Sequence, residues 1–155
     1  MDYLNIKCPG RRSGLVAMNA DGSGPRVGCG AAIVQDGSLL LVRRRRSPEA
    51  GCWGLPGGKV DPFESVAAAV TREIREELGI SIEPTLLLCV VDQIDRRAGQ
   101  HWVAPVYLIE RYDGTPSVLE PQALSAMGWF DLDSLPEPLT EATRQAVLAL
   151  RCRTV

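Results

Sequence analysis

The residues best suited to chemistry are three glutamates, Glu73, Glu76 and Glu77, spaced i, i+3, i+4. An α-helix turns about 100° per residue, so this spacing gathers them on one flank within an arc of about 100°. Ala69 shares that arc one turn earlier and is too small to obstruct it. Three like charges on one flank repel one another. Arg72 and Arg75 offset part of the repulsion, and a cation held between the carboxylates would offset more. Hard divalent cations favour carboxylate oxygens, and Mg²⁺ usually combines a few of them with water and substrate phosphates. The same spacing also describes a solvated acidic flank balanced by its arginines, and geometry alone does not separate the two.

Positioning that flank requires a helix with a buried opposite face, and the sequence predicts one over residues 62–78. Val66, Val70, Ile74 and Leu78 form its apolar stripe. Asp61 is placed to cap it, Pro62 suits its first position, and Glu64 completes a D-x-x-E capping box. Gly79 is placed to end it. A Gly/Pro-rich loop over residues 47–58 precedes the helix and contains Leu55-Pro56-Gly57-Gly58. Strands are expected over residues 27–34 and 38–45, joined by the hairpin signal Asp36-Gly37. Two more are expected over residues 85–93 and 101–111. Pro105 argues for an edge position or a bulge in the second of these. A short strand over residues 127–130 and a last helix over residues 140–150 complete the pattern. Strands and helices alternate without a regular βαβ rhythm, so the fold class is α+β with a mixed β-sheet. Residues 1–25, rich in Gly, Pro, Arg and Ser, read as an uncommitted N-terminal extension, and residues 26–155 as one domain.

The bulk properties narrow the partners. The chain has 155 residues and 45% apolar composition, enough for one domain with a real core. Its net charge of −2 leaves no electrostatic footprint for a nucleic-acid polymer. One small anionic ligand needs only a local positive pocket. The cysteines, Cys8, Cys29, Cys52, Cys89 and Cys152, are odd in number and lack C-x-x-C spacing. Reduced thiols in a cytoplasmic protein are therefore expected, rather than a disulfide framework or a zinc site. The N-terminus lacks the basic start and apolar run of a signal peptide, and no apolar run approaches a membrane span.

From Gly58 the chain reads GKVDPFESVAAAVTREIREELGI. This resembles the Nudix box, G-x5-E-x7-R-E-U-x-E-E-x-G-U, with U a bulky aliphatic residue. Gly58, Glu64, Arg72, Glu73, Ile74, Glu76, Glu77, Gly79 and Ile80 meet every defined position. The resemblance implies an α/β/α sandwich and a hydrolase that splits the diphosphate linkage of a nucleotide with Mg²⁺, or Mn²⁺ in its place. It implies that Glu73, Glu76 and Glu77, with the carbonyl of Gly57, ligate the metal. Arg72 would orient the carboxylates, and Glu64 would anchor the helix start by pairing with Arg72. Lys59 would sit near the phosphates, although an exposed loop lysine is an equally simple reading. Many family members carry Gly just before the first glutamate of the box, where this chain has Phe63.

Residues 114–122 resemble the loop that supplies a glutamate in nucleoside-triphosphate members. Glu120 is the candidate there, as the base that takes a proton from the attacking water or as a further metal ligand. Within Arg43-Arg44-Arg45-Arg46, Arg44 best matches a family arginine that reaches the phosphates, and the other three read as solvated. Trp102 and Trp129 are candidates for stacking on a nucleobase, with core packing as the simpler reading of each. Trp53 reads as a loop anchor in the core, and His101 as a strand residue. The preferred function is a pyrophosphohydrolase converting a nucleoside or deoxynucleoside triphosphate to monophosphate plus pyrophosphate. The alternatives are an ADP-ribose or nucleotide-sugar pyrophosphatase, and a non-catalytic module that senses a nucleotide. The sequence allows a homodimer without demanding one.

Overall fold

The computed structural model of the chain describes residues 24–47 and 49–153. Most of the expected N-terminal extension, including Cys8, lies outside the described residues. The strands are β1 (Arg26–Val27), β2 (Gly30–Gln35), β3 (Ser38–Arg44), β4 (Trp53–Gly54), β5 (Ser81–Ile82), β6 (Leu86–Asp95), β7 (Gln100–Ile109), β8 (Tyr112–Asp113) and β9 (Leu124–Asp131). The helices are α1 (Val66–Leu78) and α2 (Glu141–Arg153). No helix among the described residues is long and apolar enough to cross a membrane.

Asp36 and Gly37 take φ of 49° and 78°, the paired positive angles of a tight hairpin turn. They join β2 to β3, which pair only next to the turn, at Val34 with Leu39 and Gln35 with Ser38. The two strands then part. β2 continues parallel to β7, which pairs antiparallel with β6 on its other side. β3 continues antiparallel to β9 and β4. Residues 55–58 run beside β2 where the strands have separated. The Ala31 N–H donates to the Pro56 carbonyl at 3.0 Å, and the Cys29 N–H donates to the Gly58 carbonyl at 2.8 Å.

Alternate side chains of β2 and β3 face opposite layers. Ala31, Ile33, Leu40 and Val42 pack with Val70, Ile74 and Leu78 of α1. Ala32, Leu39 and Leu41 pack with Ala146, Val147 and Leu150 of α2. The mixed sheet thus lies between two helices, the expected α/β/α sandwich. Burial of each large side chain contributes about 1.5–3 kcal/mol, which holds both helices on the sheet. Trp53 joins the α2 layer as expected, meeting Phe130 edge-on at 4.9 Å between ring centroids.

Several expectations need correction. The strand expected over residues 27–34 is broken at Gly28 and Cys29: the Gly28 N–H still donates to the Val103 carbonyl of β7, but the Cys29 N–H turns to the Gly58 carbonyl. Pro105 is not on an edge, because β7 has neighbours on both sides. It stands in the interval between the β1 pairing, which ends at Val103, and the β2 pairing, which begins at Val106. A register shift lies nearby on β6, between Leu87 and Cys89. A missing N–H is tolerated where the neighbouring strand is interrupted.

Helix α1 begins at Val66, later than expected, with Ser65 as its cap accepting from the Ala68 N–H at 3.2 Å. The Asp61–Glu64 pair forms a turn ahead of it. The Glu64 N–H donates to the Asp61 carbonyl, and the Asp61 N–H donates to a Glu64 carboxylate oxygen, each at 3.1 Å. Phe63 inside this turn has φ of 65°, which prevents helix from starting there. Its side chain is fully exposed, so it offers no burial in return for a left-handed backbone that costs an L-residue about 1–2 kcal/mol. Phe63→Gly should therefore raise unfolding stability by about 0.5–1 kcal/mol in urea titration, after the added entropy of the unfolded chain. A lower stability would contradict this account of the turn.

Candidate active site

The parting of β2 from β3 leaves a cleft of about 520 Å³. Its walls come from the 54–59 segment, the Glu73 and Glu77 side of α1, Arg44 at the end of β3, and Trp102, Ala104 and Val106 of β7. Thr140 and Ala142, at the start of α2, also line it.

Two glycines bring the loop against the helix. A Cβ on Gly57, whose φ is 142°, would lie 2.3 Å from the Cys29 carbonyl oxygen. A Cβ on Gly58 would lie 2.4 Å from the Glu73 carboxylate. Glycine at both positions lets backbone approach where no side chain fits. The Gly57 N–H then donates to Glu77 Oε2 at 2.9 Å.

Arg72 ties the helix to the turn before it. It donates to both Glu64 carboxylate oxygens at 2.9 Å, to Glu73 Oε1 at 2.8 Å, to Glu76 Oε2 at 3.2 Å and to the Lys59 carbonyl at 3.0 Å. Such charge-assisted, forked contacts fix orientation as well as charge. Arg72 holds the Glu64 carboxyl below its ordinary range, and Glu64 and Glu73 in turn raise the Arg72 pKa further.

Glu77 is buried. Burial pushes its carboxyl up to about 8; the Gly57 N–H opposes this, Glu73 and Glu120 reinforce it, and Arg44 opposes it. A buried carboxylate beside two others has a deficit of positive charge, and a divalent cation fits that deficit. Among the described residues no three or more carboxylate, thiol or imidazole groups stand close enough together to hold a metal ion by themselves. A site for Mg²⁺ ordinarily leaves several positions to water and phosphate oxygens.

Glu120 is brought to this region by backbone. The Leu119 N–H donates to the Glu77 carbonyl at 2.9 Å, and the Ser117 N–H donates to the Leu78 carbonyl at 3.1 Å. These bonds satisfy carbonyls that the last turn of a helix leaves open. Leu119 packs on Gly79, where a Cβ would lie 2.9 Å from its Cδ1. Gly79 itself caps α1 with φ of 72°, as expected.

Of the residues singled out from sequence, Arg44, Gly57, Lys59, Glu73, Glu77 and Trp102 line one cleft. The Arg44 Nε is buried and has no hydrogen-bond partner among the described residues. Glu76 is absent from the cleft lining, with its half-exposed carboxylate on Arg72. Trp129 is not brought to the cleft. It is the register partner of Leu40 and so faces the α1 layer, where it stacks on Tyr112 at 6.2 Å. Arg46 is exposed, as its solvated reading in sequence expects, and also lines the cleft. His101 is a strand residue, hydrogen-bonded to Asp92 Oδ1 at 2.7 Å. Arg26, whose guanidinium lies 5.4 Å from the Trp102 ring centroid, and Gln93 were passed over. Local sequence carries no signal for either, since β1 is only Arg26–Val27 and Gln93 stands among other polar residues of β6, and the register that sets them beside Trp102 is not readable there.

Comparison with known proteins agrees with this geometry. Residues 24–150 match the model of the NUDIX domain. The fold superposes on the crystal structure of a MutT NUDIX hydrolase from Burkholderia pseudomallei with a TM-score of 0.80 and 63% identity, covering 82% of this chain and 98% of that one. The chain is 34% identical over 113 residues to an ADP-ribose pyrophosphatase of Methanocaldococcus jannaschii, covering 73% of this chain and 66% of that protein. It is 39% identical over 95 residues to a CTP pyrophosphohydrolase of Escherichia coli, covering 61% of this chain and 69% of that protein. Its match to an 8-oxo-dGDP phosphatase of Homo sapiens spans only 32% of that protein. The likeness extends from the loop and helix that carry the carboxylates to nearly the whole described chain, which belongs to the Nudix family of hydrolases.

Proposed function

We propose that the protein is a Mg²⁺-dependent pyrophosphohydrolase that converts a nucleoside or deoxynucleoside triphosphate to monophosphate and pyrophosphate. The observation that carries this reading is the docking of the Glu120 loop on the end of α1 by backbone hydrogen bonds, which brings the Glu120 carboxylate within electrostatic reach of Glu77 although it does not line the cleft that holds Glu73, Glu77 and Trp102. Glu73, Glu76 and Glu77, with the Gly57 carbonyl, would hold the cation, and Glu120 would join them or act as base. Bound there, Mg²⁺ or Mn²⁺ would neutralise the diphosphate and favour ionisation of the attacking water. The remaining work falls to the chain. Arg72 orients Glu73 and Glu76 through the contacts described above. Arg44 and Lys59 meet the phosphates, where the orphaned Nε of Arg44 gains an acceptor. Glu120, if free of the cation, takes the proton of the water.

A panel of nucleotides incubated with Mg²⁺, with products identified by chromatography, tests the reading. Monophosphate and pyrophosphate are expected from at least one triphosphate. Release of a monophosphate and a sugar phosphate only, from ADP-ribose or a nucleotide sugar, would instead establish the second reading, which the name of the archaeal relative favours. Trp102→Ala should raise KM for the preferred nucleotide about 5- to 150-fold, the equivalent of about 1–3 kcal/mol of base stacking, with little change in kcat. An unchanged KM would remove Trp102 from the substrate site.

A further inference from the structure

Trp102 has a register partner on each side. Arg26 of β1 pairs with it in the parallel ladder, and Gln93 of β6 pairs with it in the antiparallel ladder. Residues in register share a face of the sheet, and Gln93 and Trp102 both line the cleft. The Arg26 guanidinium lies 5.4 Å from the Trp102 ring centroid, within cation–π reach, and covers one face of the ring. Gln93 is half-buried, and its carboxamide makes no hydrogen bond with any described residue. That amide carries two donors and an acceptor, all unspent, beside the aromatic ring.

We infer that Gln93 reads the nucleobase: its carboxamide hydrogen-bonds the edge of a base stacked on Trp102, on the face that Arg26 does not cover. The inference rests on the nucleotide reading above. Side chains in register across an antiparallel pair stand about 5 Å apart at Cβ, so an amide there reaches the rim of a base lying on the neighbouring ring. A neutral amide can turn to accept from an amino edge, as in cytosine, or to donate to an oxo edge, as in uracil. A carboxylate in its place only accepts.

The test is calorimetric titration of the full chain with CMP and with UMP in the absence of divalent metal, so that no turnover is required. Gln93→Glu should raise the preference for CMP over UMP at least tenfold, by keeping the amino edge and repelling the oxo edge. Gln93→Ala should weaken both about tenfold and leave their ratio near that of the unaltered protein. Circular dichroism of each variant should match that of the unaltered protein, and Gln93→Ala carries the test if Gln93→Glu does not fold. An unchanged ratio in a folded Gln93→Glu, an unchanged affinity in Gln93→Ala, or no binding of either nucleotide by the unaltered protein overturns the inference. Nucleotide binding that depends on Gln93 with no hydrolysis of any triphosphate leaves the inference standing and removes the reaction assignment. Hydrolysis with affinities indifferent to Gln93 removes the inference alone.

Discussion

Glu77→Gln should lower kcat by about 10²–10³-fold, the scale on which a single charge-stabilising group contributes to catalysis, while the protein stays folded. The same substitution should change how stability depends on pH. In the unfolded chain Glu77 ionises near its ordinary 4.5, whereas in the fold burial holds it near 8. Below about pH 4.5 both states are protonated and its effect on stability is nil. As pH rises from 4.5 to 8 the unfolded state releases the proton first, so metal-free stability falls through that window and then levels off. The slope is at most about 1.4 kcal/mol per pH unit. Thermal unfolding in chelator should therefore give a Tm that drops between pH 5 and pH 8, and Mg²⁺ should recover much of the loss at pH 8. Glu77→Gln should flatten both responses. A wild-type Tm indifferent to pH in chelator would mean that the carboxylate is not held as described.

Gly57→Ala should destabilise the fold by about 3 kcal/mol or more and lower activity at least as far as Glu77→Gln does. The added methyl would lie 2.3 Å from the Cys29 carbonyl oxygen and 2.8 Å from the Gly30 Cα, both backbone atoms that cannot swing aside. The backbone angle is itself one that L-residues avoid. Gly51 supplies the control, since its φ is 83° but a Cβ there meets nothing within 4 Å. Gly51→Ala should cost only about 1–2 kcal/mol from the backbone angle and leave kcat unchanged. Urea titration and steady-state kinetics on the two variants read the contrast. Equal destabilisation at Gly51 and Gly57 would show that close packing against β2 contributes nothing.

The parts of this molecule legible in sequence are those fixed by local chemistry. The apolar stripe Val70, Ile74, Leu78 faces the sheet, Gly79 caps the helix, and Asp36-Gly37 turns the hairpin, each where periodicity and turn preference place it. The start of α1 was misjudged because Asp61, Pro62 and Glu64 form a capping pattern that Phe63 diverts into a separate turn. For Pro105 the edge alternative fails, because its neighbours across the sheet are far away in sequence, while the bulge alternative finds a register shift close by on β6. Long-range register also separates the two tryptophan candidates. Trp102 pairs with Gln93 on the cleft side, while Trp129 pairs with Leu40 on the helix side. Neither alignment can be read from the residues flanking the tryptophan itself, because a shift of one residue would exchange the faces.

The 55–58 segment is seated on β2 by bonds between main-chain atoms alone, Ala31 to Pro56 and Cys29 to Gly58. Such an anchor does not consult side-chain identity. Substitutions in β2 that keep the strand extended leave these bonds in place, whereas the other edge of the loop depends on side chains, through the Leu55 N–H to Thr143 Oγ1 at 3.0 Å and the Gly57 N–H to Glu77 Oε2 at 2.9 Å. The far wall, with Trp102, Gln93 and Arg46, is built of side chains and has no such protection. Point changes among those side chains should therefore alter what the cleft accepts while leaving the loop at Gly57 seated on the strand.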